Sequence, residues 1–328
     1  MNSSPQQAAE APHPCGICGN SSGNRVHEAR EMMFGLRDRF RYLECGRCGC
    51  VALMDIPPDM GRYYPPDYYS LQKHGRVAEY LRRRWAAYAY GRFCVFGWAF
   101  SKFCFPNEAV RSVRRLNPAP DWRILDVGCG SGNLLRDLQY LGFKNLAGVD
   151  PFIARDLHYP GGLTIYKREL GEMKGEYDLI MLHHSFEHMN APLKVIQTLK
   201  SMLRPRGTII LRIPVASSLA WKSCGVNWFN MDPPRHFFLH TGESIQMLAE
   251  QSGLCVRRVI QEDDGGIFVV SEAYRKDIPA NDPRFPLSTN LKKILSYFKM
   301  GEYRRKGREL SRAGQSDLVC FELGHRGD

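Results

Sequence analysis

Two closely spaced pairs of cysteines near the start of the chain are the clearest candidates for chemistry. In each pair two residues separate the cysteines, and a glycine follows directly. Thiolates at this spacing can turn toward one metal ion, and the glycine lets the backbone direct N–H groups at sulfur. The 26 residues between the pairs exceed the usual ribbon spacing of about 15 to 20. The sequence predicts a closed, structural zinc site formed by Cys15, Cys18, Cys45 and Cys48.

A glycine-rich turn in the middle of the chain is the second candidate. The apolar run Ile124–Val127 leads into Gly-Cys-Gly-Ser-Gly at 128–132, and leucines at helical spacing follow as far as Leu141. Glycines let the backbone approach a ligand closely, and the N-terminus of the next helix offers N–H groups to a carboxylate or phosphate. The next strand ends at Asp150, which is placed to bind a ribose diol. The turn therefore predicts a cofactor site.

Strand-like and helix-like segments alternate between residues 119 and 275. This pattern predicts an α/β domain built from β-α-β units, with helices on both faces of a largely parallel sheet. The last apolar stretch, around residues 317–323, reads as one more strand. We divide the chain into a disordered lead (1–13), the zinc ribbon (14–60), a basic aromatic helical segment (61–118), the α/β domain (119–275) with a lid insertion (216–240), and a C-terminal extension (276–328).

The composition bounds the class of protein. The chain has 328 residues, of which 44% are hydrophobic and 24% charged, so global disorder and a polytopic membrane protein are both excluded. The net charge of +11 is local, since residues 61–118 carry eleven basic and three acidic side chains. The first residues lack the basic and apolar regions of a signal peptide. We therefore expect a cytoplasmic protein with an anionic surface or ligand as partner.

The motifs of the α/β region resemble those of a known family. The run ILDVGCGSG at 124–132, followed by AGVD at 147–150, closely resembles the first two motifs of class I S-adenosylmethionine-dependent methyltransferases. Asp126 stands before the first glycine, which distinguishes this turn from the dehydrogenase fingerprint. Matches at 177–188 and 199–207 follow in the family's order. The resemblance implies a Rossmann-like, seven-stranded methyltransferase sheet, here joined to a small N-terminal zinc ribbon.

The resemblance also implies which residues bind S-adenosylmethionine. The methionine end of this cofactor would lie on Asp126 and the backbone of the turn, and the ribose hydroxyls on Asp150. Because the sulfonium already activates the methyl group, such an enzyme mainly aligns acceptor, methyl and sulfur, with a base for a hydroxyl acceptor. The full set implied for the cofactor is Asp126, Gly128, Cys129, Gly130, Asp150, Pro151, Phe152 and His183.

Several histidines lie on segments that should approach the cleft. His184 follows the fourth strand of the domain, at the edge where such sheets bind ligands. His236 belongs to the insertion, whose aromatic residues are typical either of a lid over the acceptor or of a loop packed on the sheet edge. We select His184 and His236 as catalytic candidates. The Glu187–His188 pair is interpreted as a capping or packing element.

The acceptor is constrained by two further resemblances. Asp232-Pro-Pro-Arg235 is similar to the motif of methyltransferases that modify exocyclic nitrogens, but it stands in the wrong place, which favours an oxygen or carbon acceptor. The order of ribbon, proline- and tyrosine-rich segment and transferase domain resembles methyltransferases of sugar and cell-surface glycan biosynthesis. We therefore predict methyl transfer to a hydroxyl or carbon of a small molecule that is sugar-containing or lipid-linked.

Two other functions stay open. Residues 82–105 are basic and aromatic but too often charged to span a membrane. They either lie on the membrane surface, which would make the protein peripheral, or pack on the domain.

The same basic residues also suit an RNA methyltransferase that binds nucleic acid through the ribbon and this segment. The second alternative is a non-catalytic binding module.

Overall fold

The computed structural model describes residues 13–64, 76–92, 95, 97, 98, 107–262, 265–288 and 300–328. Almost all of the predicted lead, and much of the predicted membrane-contact segment 82–105, lie outside these residues. The strands of the described part are β1 (Arg25–Arg30), β2 (Arg39–Glu44), β3 (Val51–Leu53), β4 (Arg123–Val127), β5 (Asn145–Val149), β6 (Leu157–His158), β7 (Thr164–Tyr166), β8 (Tyr177–His183), β9 (Leu203–Pro214), β10 (Phe238–Leu239), β11 (Leu254–Glu262) and β12 (Leu318–His325).

The helices follow the strands in alternation through most of the chain, as the apolar spacing predicts. Some of their N-termini are capped by the side chains typical of this position: Asn107 accepts a hydrogen bond from the N–H of Val110, and Thr241 accepts one from the N–H of Ser244. The α-helices are α1 (Arg76–Ala89), α2 (Glu108–Arg115), α3 (Asn133–Tyr140), α4 (Pro192–Ser201), α5 (Leu219–Cys224), α6 (Gly242–Gln251), α7 (Ile267–Arg275) and α8 (Met300–Arg312).

The larger sheet has the strand order β11-β12-β9-β8-β4-β5-β7-β6. Its central strands β5, β4, β8 and β9 are parallel neighbours, and β4 is buried over all its residues after Arg123. Burial on both faces explains why these strands are continuous apolar runs. The predicted α/β fold is confirmed. The sheet has one strand more than the seven predicted, because the two-residue β6 adds an antiparallel edge.

The last strand of the larger sheet comes from the C-terminal extension. β12 is antiparallel to both β9 and β11 and lies between them. Its residues from Val319 to Gly324 are buried, as expected for an apolar strand covered on both faces. The sheet therefore continues beyond residue 275, where we placed the end of the α/β domain.

The smaller sheet joins the cysteine-rich region to the domain. Strands β1, β2 and β3 form an antiparallel meander, and β10, from the 216–240 insertion, pairs with β3 through Phe238 opposite Ala52. Thr241, the cap of α6, donates its hydroxyl hydrogen to the Cys48 carbonyl at 2.6 Å. The insertion thus shares a sheet with the ribbon. The prediction that it acts as a lid stays a prediction.

Helix α1 packs on the α/β domain through one face. Ala86, Ala87 and Ala89 are buried against it, and Arg82 forms an ion pair with the buried Asp137 of α3. Among the helices that the structure describes, none is long and apolar enough to cross a bilayer. The described part of the 82–105 segment therefore has a packing role, and contact with a membrane or RNA stays a prediction.

Candidate cofactor pocket and metal centres

The glycine turn follows β4 at the carboxyl edge of the large sheet. Gly128, Gly130 and Gly132 have φ values of 72°, 54° and 73°, a region that side chains other than glycine rarely adopt. A Cβ at Gly128 would also overlap the Cβ of Ser185, which follows β8. Ser185 holds this approach by donating its hydroxyl to the Val127 carbonyl at 2.7 Å. Glycine is therefore required at position 128, because a side chain there would collide with Ser185 at the end of β8.

Two carboxylates face the turn. Asp126 is 4% exposed, and its carboxylate accepts no hydrogen bond from the residues that the structure describes. Burial, with a contribution from Asp150, raises the pKa of Asp126 to about 8. Asp150 instead accepts hydrogen bonds from the N–H groups of Gly130 at 2.8 Å and Phe152 at 2.9 Å. An unpartnered buried carboxylate is suited to a cationic ligand group, and the ammonium of S-adenosylmethionine is one.

The wall of the pocket is aromatic. Phe152 is 65% exposed, and the ring of Tyr64 stacks on it with centroids 5.4 Å apart. Tyr64 also lies edge-on to His188. His183, at the end of β8, has both ring nitrogens buried without a hydrogen-bond partner among the described residues. Phe152 follows Asp150 by two residues, and His183 ends β8, the strand beside β4. Their roles in cofactor binding stay predictions, and Tyr64 is a neighbouring aromatic residue that was not predicted from the sequence.

His184 lies at the mouth of the cleft with 45% of its side chain exposed. Its Nε2 accepts a hydrogen bond from Arg212 Nη1 at 2.7 Å, and Arg212 in turn is held by Glu262 at 2.6 Å. The proton of the neutral ring is therefore on Nδ1, which lies 3.5 Å from Glu187. With its only lone pair engaged, His184 is better placed to orient a neighbour than to accept a proton.

His236 lies deeper, beside a second acid and a second histidine. Its Nδ1 is 2.8 Å from the Asn230 carbonyl, and the Nδ1 of His188 is 2.8 Å from the Arg235 carbonyl. One ring nitrogen of each histidine and one oxygen of Glu187 lie within 4.8 Å of one another. The glutamate is fully buried, yet neither of its oxygens has a hydrogen-bond partner in the described part of the chain.

The four predicted zinc ligands are brought together at the edge of the small sheet. Their sulfur atoms lie within 4.8 Å of one another, with Cys15 and Cys48 3.7 Å apart and Cys18 and Cys45 3.5 Å apart. Backbone N–H groups point at two of the sulfurs, as in a metal-binding knuckle. Four convergent thiols with amide donors to sulfur fit a tetrahedral zinc ion. The identity of the metal is a proposal.

The Asp232-Pro-Pro-Arg235 segment is buried under the ribbon. The Arg235 guanidinium is fully buried and donates to Asp232 and, at 2.9 Å, to Glu31 of the ribbon. It also donates to the Tyr63 carbonyl at 3.2 Å. This network shows that the segment is a junction between the ribbon and the domain.

Comparison with known proteins agrees with this geometry. Residues 98–259 match the family model described as "Methyltransferase domain". Residues 98–259 therefore belong to a methyltransferase domain. The matched range contains the glycine turn and both pocket acids, Asp126 and Asp150.

The relatives of this methyltransferase domain differ in their acceptors. Over 138 residues it is 30% identical to a ubiquinone biosynthesis O-methyltransferase of Dechloromonas aromatica, covering 35% of this chain and 59% of the relative. It is 32% identical over 113 residues to a tRNA U34 carboxymethyltransferase of Cellvibrio japonicus, and this match covers 31% of this chain and 35% of the relative. The match thus spans less than two thirds of either relative.

Solved structures are similar at lower identity. The magnesium protoporphyrin IX methyltransferase of Synechocystis PCC 6803, solved with bound SAH, is 16% identical with a TM-score of 0.38, covering 61% of this chain and 84% of that one. A putative methyltransferase of an antibiotic biosynthesis pathway from Anabaena variabilis is 17% identical with a TM-score of 0.43. The match covers 68% of this chain and 99% of that one.

Glu187 and His188, interpreted from the sequence as a capping or packing element, lie beside His236. Burial raises the pKa of the nearby Asp150, and the N–H groups of Phe152 and Gly130, with a smaller effect of His188, act against this shift. The adjacency of an acid and a histidine was the available signal. The meeting with His236 could not be inferred, because 47 residues separate His188 from His236 in the chain.

Proposed function

We propose that this chain transfers the methyl group of S-adenosylmethionine to an oxygen of a small-molecule acceptor. The observation that carries the cofactor assignment is the buried, unpartnered carboxylate of Asp126 behind the glycine turn. This acid would bind the cofactor's ammonium, and Asp150 would turn a lone pair toward the ribose. Phe152 would border the adenosine part of the pocket, with Pro151 and Cys129 in the adjoining backbone.

An oxygen acceptor and a small molecule are supported by different observations. The relative from Dechloromonas aromatica is by name an O-methyltransferase. Two arginines of α1 are engaged within the protein, since Arg82 pairs with Asp137 and Arg83 with Glu79, which gives less support to an RNA acceptor. A sugar-containing or lipid-linked acceptor stays the finer proposal, supported by the sequence resemblance.

The protein's own part in the reaction is alignment and removal of a proton. The cofactor supplies the electrophilic methyl group, and the carboxyl edge of the sheet would hold the acceptor in line with it. Of the two catalytic candidates, His236 keeps a lone pair on Nε2, because its Nδ1 donates to the Asn230 carbonyl. His184 would orient Glu187 and the acceptor instead.

Cofactor binding is expected to strengthen as the pH rises. The pKa of Asp126 is raised to about 8, so much of this group is neutral at pH 7, whereas the ammonium favours the ionised form. Between pH 6 and 8 the affinity should rise by up to roughly 50-fold, because binding releases the proton of Asp126. Asp126→Asn should weaken binding at pH 8 by at least about tenfold and flatten this profile.

Calorimetric titration with S-adenosylmethionine and S-adenosylhomocysteine from pH 6 to 8 measures both effects. NAD serves as the negative control ligand, and Asp156→Asn serves as the control variant. Asp156 is a half-buried acid directly before β6, and asparagine there keeps an oxygen to accept the hydrogen bond of the Lys167 N–H. Equal affinities of wild type and Asp126→Asn at every pH would contradict the assignment. Failure of a folded, zinc-loaded protein to bind either ligand would contradict the proposed function.

A further inference from the structure

We propose that Glu187, His188 and His236 hold a divalent first-row transition-metal ion beside the cofactor pocket, with open coordination positions for oxygen atoms of the acceptor. The proposal deepens the proposed function and, for the acceptor, rests on it. With the ion bound, the His236 Nε2 lone pair would coordinate the metal instead of accepting the acceptor's proton. The ligand atoms come from the segment after β8 and from the insertion, and they lie within 4.8 Å of one another. This site is separate from the four-cysteine site.

The two histidines are already oriented as metal ligands. The His236 Nδ1 and the His188 Nδ1 each lie 2.8 Å from a backbone carbonyl, of Asn230 and Arg235 respectively. A carbonyl only accepts, so each Nδ1 carries the proton and each Nε2 keeps its lone pair. In metalloproteins a carbonyl on the far ring nitrogen is the usual way of fixing a histidine ligand.

The glutamate offers a carboxylate whose nearest ion-pair neighbour is the His184 Nδ1, 3.5 Å away. Both of its oxygens are buried and lack a hydrogen-bond partner in the part of the chain that the structure describes. A buried carboxylate without hydrogen bonds is costly, and a cation would satisfy it.

The surrounding ion pairs leave the Glu187 carboxylate without an arginine or lysine partner. The buried guanidinium of Arg235 pairs with Glu31 and Asp232. Among the described residues, the side chain within ion-pair distance of Glu187 is His184, which is 45% exposed. A cation bound between Glu187 and the two histidines would balance the charge of this carboxylate.

The geometry and the donor types define the ion. Ligands about 2.1 Å from a metal lie roughly 3 to 4 Å apart, so small side-chain movements would close the present spacing. Two imidazoles and one carboxylate suit a first-row transition metal, and three protein ligands leave open positions, as in catalytic sites.

The site adjoins Tyr64 and Phe152 in the pocket wall. An acceptor with two neighbouring oxygens could occupy those positions, and the ion would favour its ionised hydroxyl.

Equilibrium dialysis against Co²⁺ tests the site. Zinc-loaded protein is dialysed against about 50 µM Co²⁺, and cobalt and zinc are counted by elemental analysis. We expect one cobalt per chain in addition to the zinc. Glu187→Gln and His236→Gln should each weaken cobalt binding at least about tenfold. His27→Gln, which removes a histidine 2.7 Å from Glu44 in the ribbon, should leave the cobalt content unchanged.

The outcomes separate the metal site from the cofactor assignment. No cobalt in the wild type, or cobalt retained by both Glu187→Gln and His236→Gln, would overturn the proposal. Thermal unfolding and zinc content show whether each variant is folded, and either variant alone suffices for the test. Calorimetry with S-adenosylmethionine on the same samples should show unchanged affinity. Cobalt binding without cofactor binding would refute the proposed function and leave the metal site intact.

Discussion

Removing the metal from the four-cysteine site is expected to unfold the small sheet and to destabilise the methyltransferase domain. Cys45 and Cys48 lie in the turn that joins β2 to β3, and with Cys15 they are buried in the same apolar cluster as Ile245 and Leu248 of α6. The apparent binding free energy of a structural zinc ion is about 10 to 16 kcal/mol, which exceeds the stability of most domains. Because Thr241, the cap of α6, bonds to the Cys48 carbonyl, the loss should reach the domain.

Elemental analysis and differential scanning calorimetry measure this effect. The untreated protein should contain one zinc per chain, and Cys15→Ser and Cys48→Ser should lose it and melt at a lower temperature. Cys50→Ala is the matched control, since Cys50 is equally buried next to the site but is not one of the four ligands. A metal-free protein that melts like the untreated one would refute the zinc assignment.

Arg235→Met is expected to lower the free energy of unfolding by about 3 to 5 kcal/mol. The substitution leaves the Glu31 and Asp232 carboxylates buried without their guanidinium. The carboxylate of Glu31 would keep only the backbone N–H groups of Phe34 and Leu36 as partners. Uncompensated buried charge is among the most destabilising changes known for a single residue.

Urea unfolding compares this variant with Arg39→Met. Arg39 also pairs with a glutamate, Glu28, but both side chains are more than half exposed, so its loss should cost less than about 1 kcal/mol. Adding Glu31→Gln to Arg235→Met should recover part of the loss, because one unpaired charge is then removed. Similar free energies of unfolding for Arg235→Met and Arg39→Met would contradict this prediction, because the buried ion pair would then stabilise the fold no more than the exposed one.

Local patterns in the sequence were sufficient for two parts of the structure. The cysteine pairs predicted which four sulfur atoms converge, because the spacing of each pair and the glycine after it determine the knuckle. The glycine turn and Asp150 were expected at the same edge of the sheet, because parallel strands place their carboxyl ends together, and the Gly130 N–H does donate to Asp150. In both cases residues close in the chain carry the geometry.

The parts that were missed depend on contacts between distant residues. Strand β10 is only two residues long, so no periodicity indicated that the insertion would join the ribbon sheet. The Asp-Pro-Pro-Arg segment was compared only with a catalytic motif. In the structure its buried arginine donates a hydrogen bond to Glu31, which lies 204 residues earlier in the chain. The meeting of Glu187 and His188 with His236 depends on the same insertion. Sequence patterns predict which face of a helix or strand is buried and where the chain turns. They do not predict which distant segments pack against each other.

The position of β12 has a consequence for how this protein is made. Strand β11 ends at residue 262, yet its hydrogen-bonding neighbour begins only at residue 318. While the ribosome adds the residues between them, β11 and one edge of β9 expose unpaired backbone groups. Such open edges are sites of aggregation in partly made chains. A chain interrupted before residue 318 would therefore accumulate in inclusion bodies, and fusion partners at the C-terminus need a linker that leaves β12 free to insert.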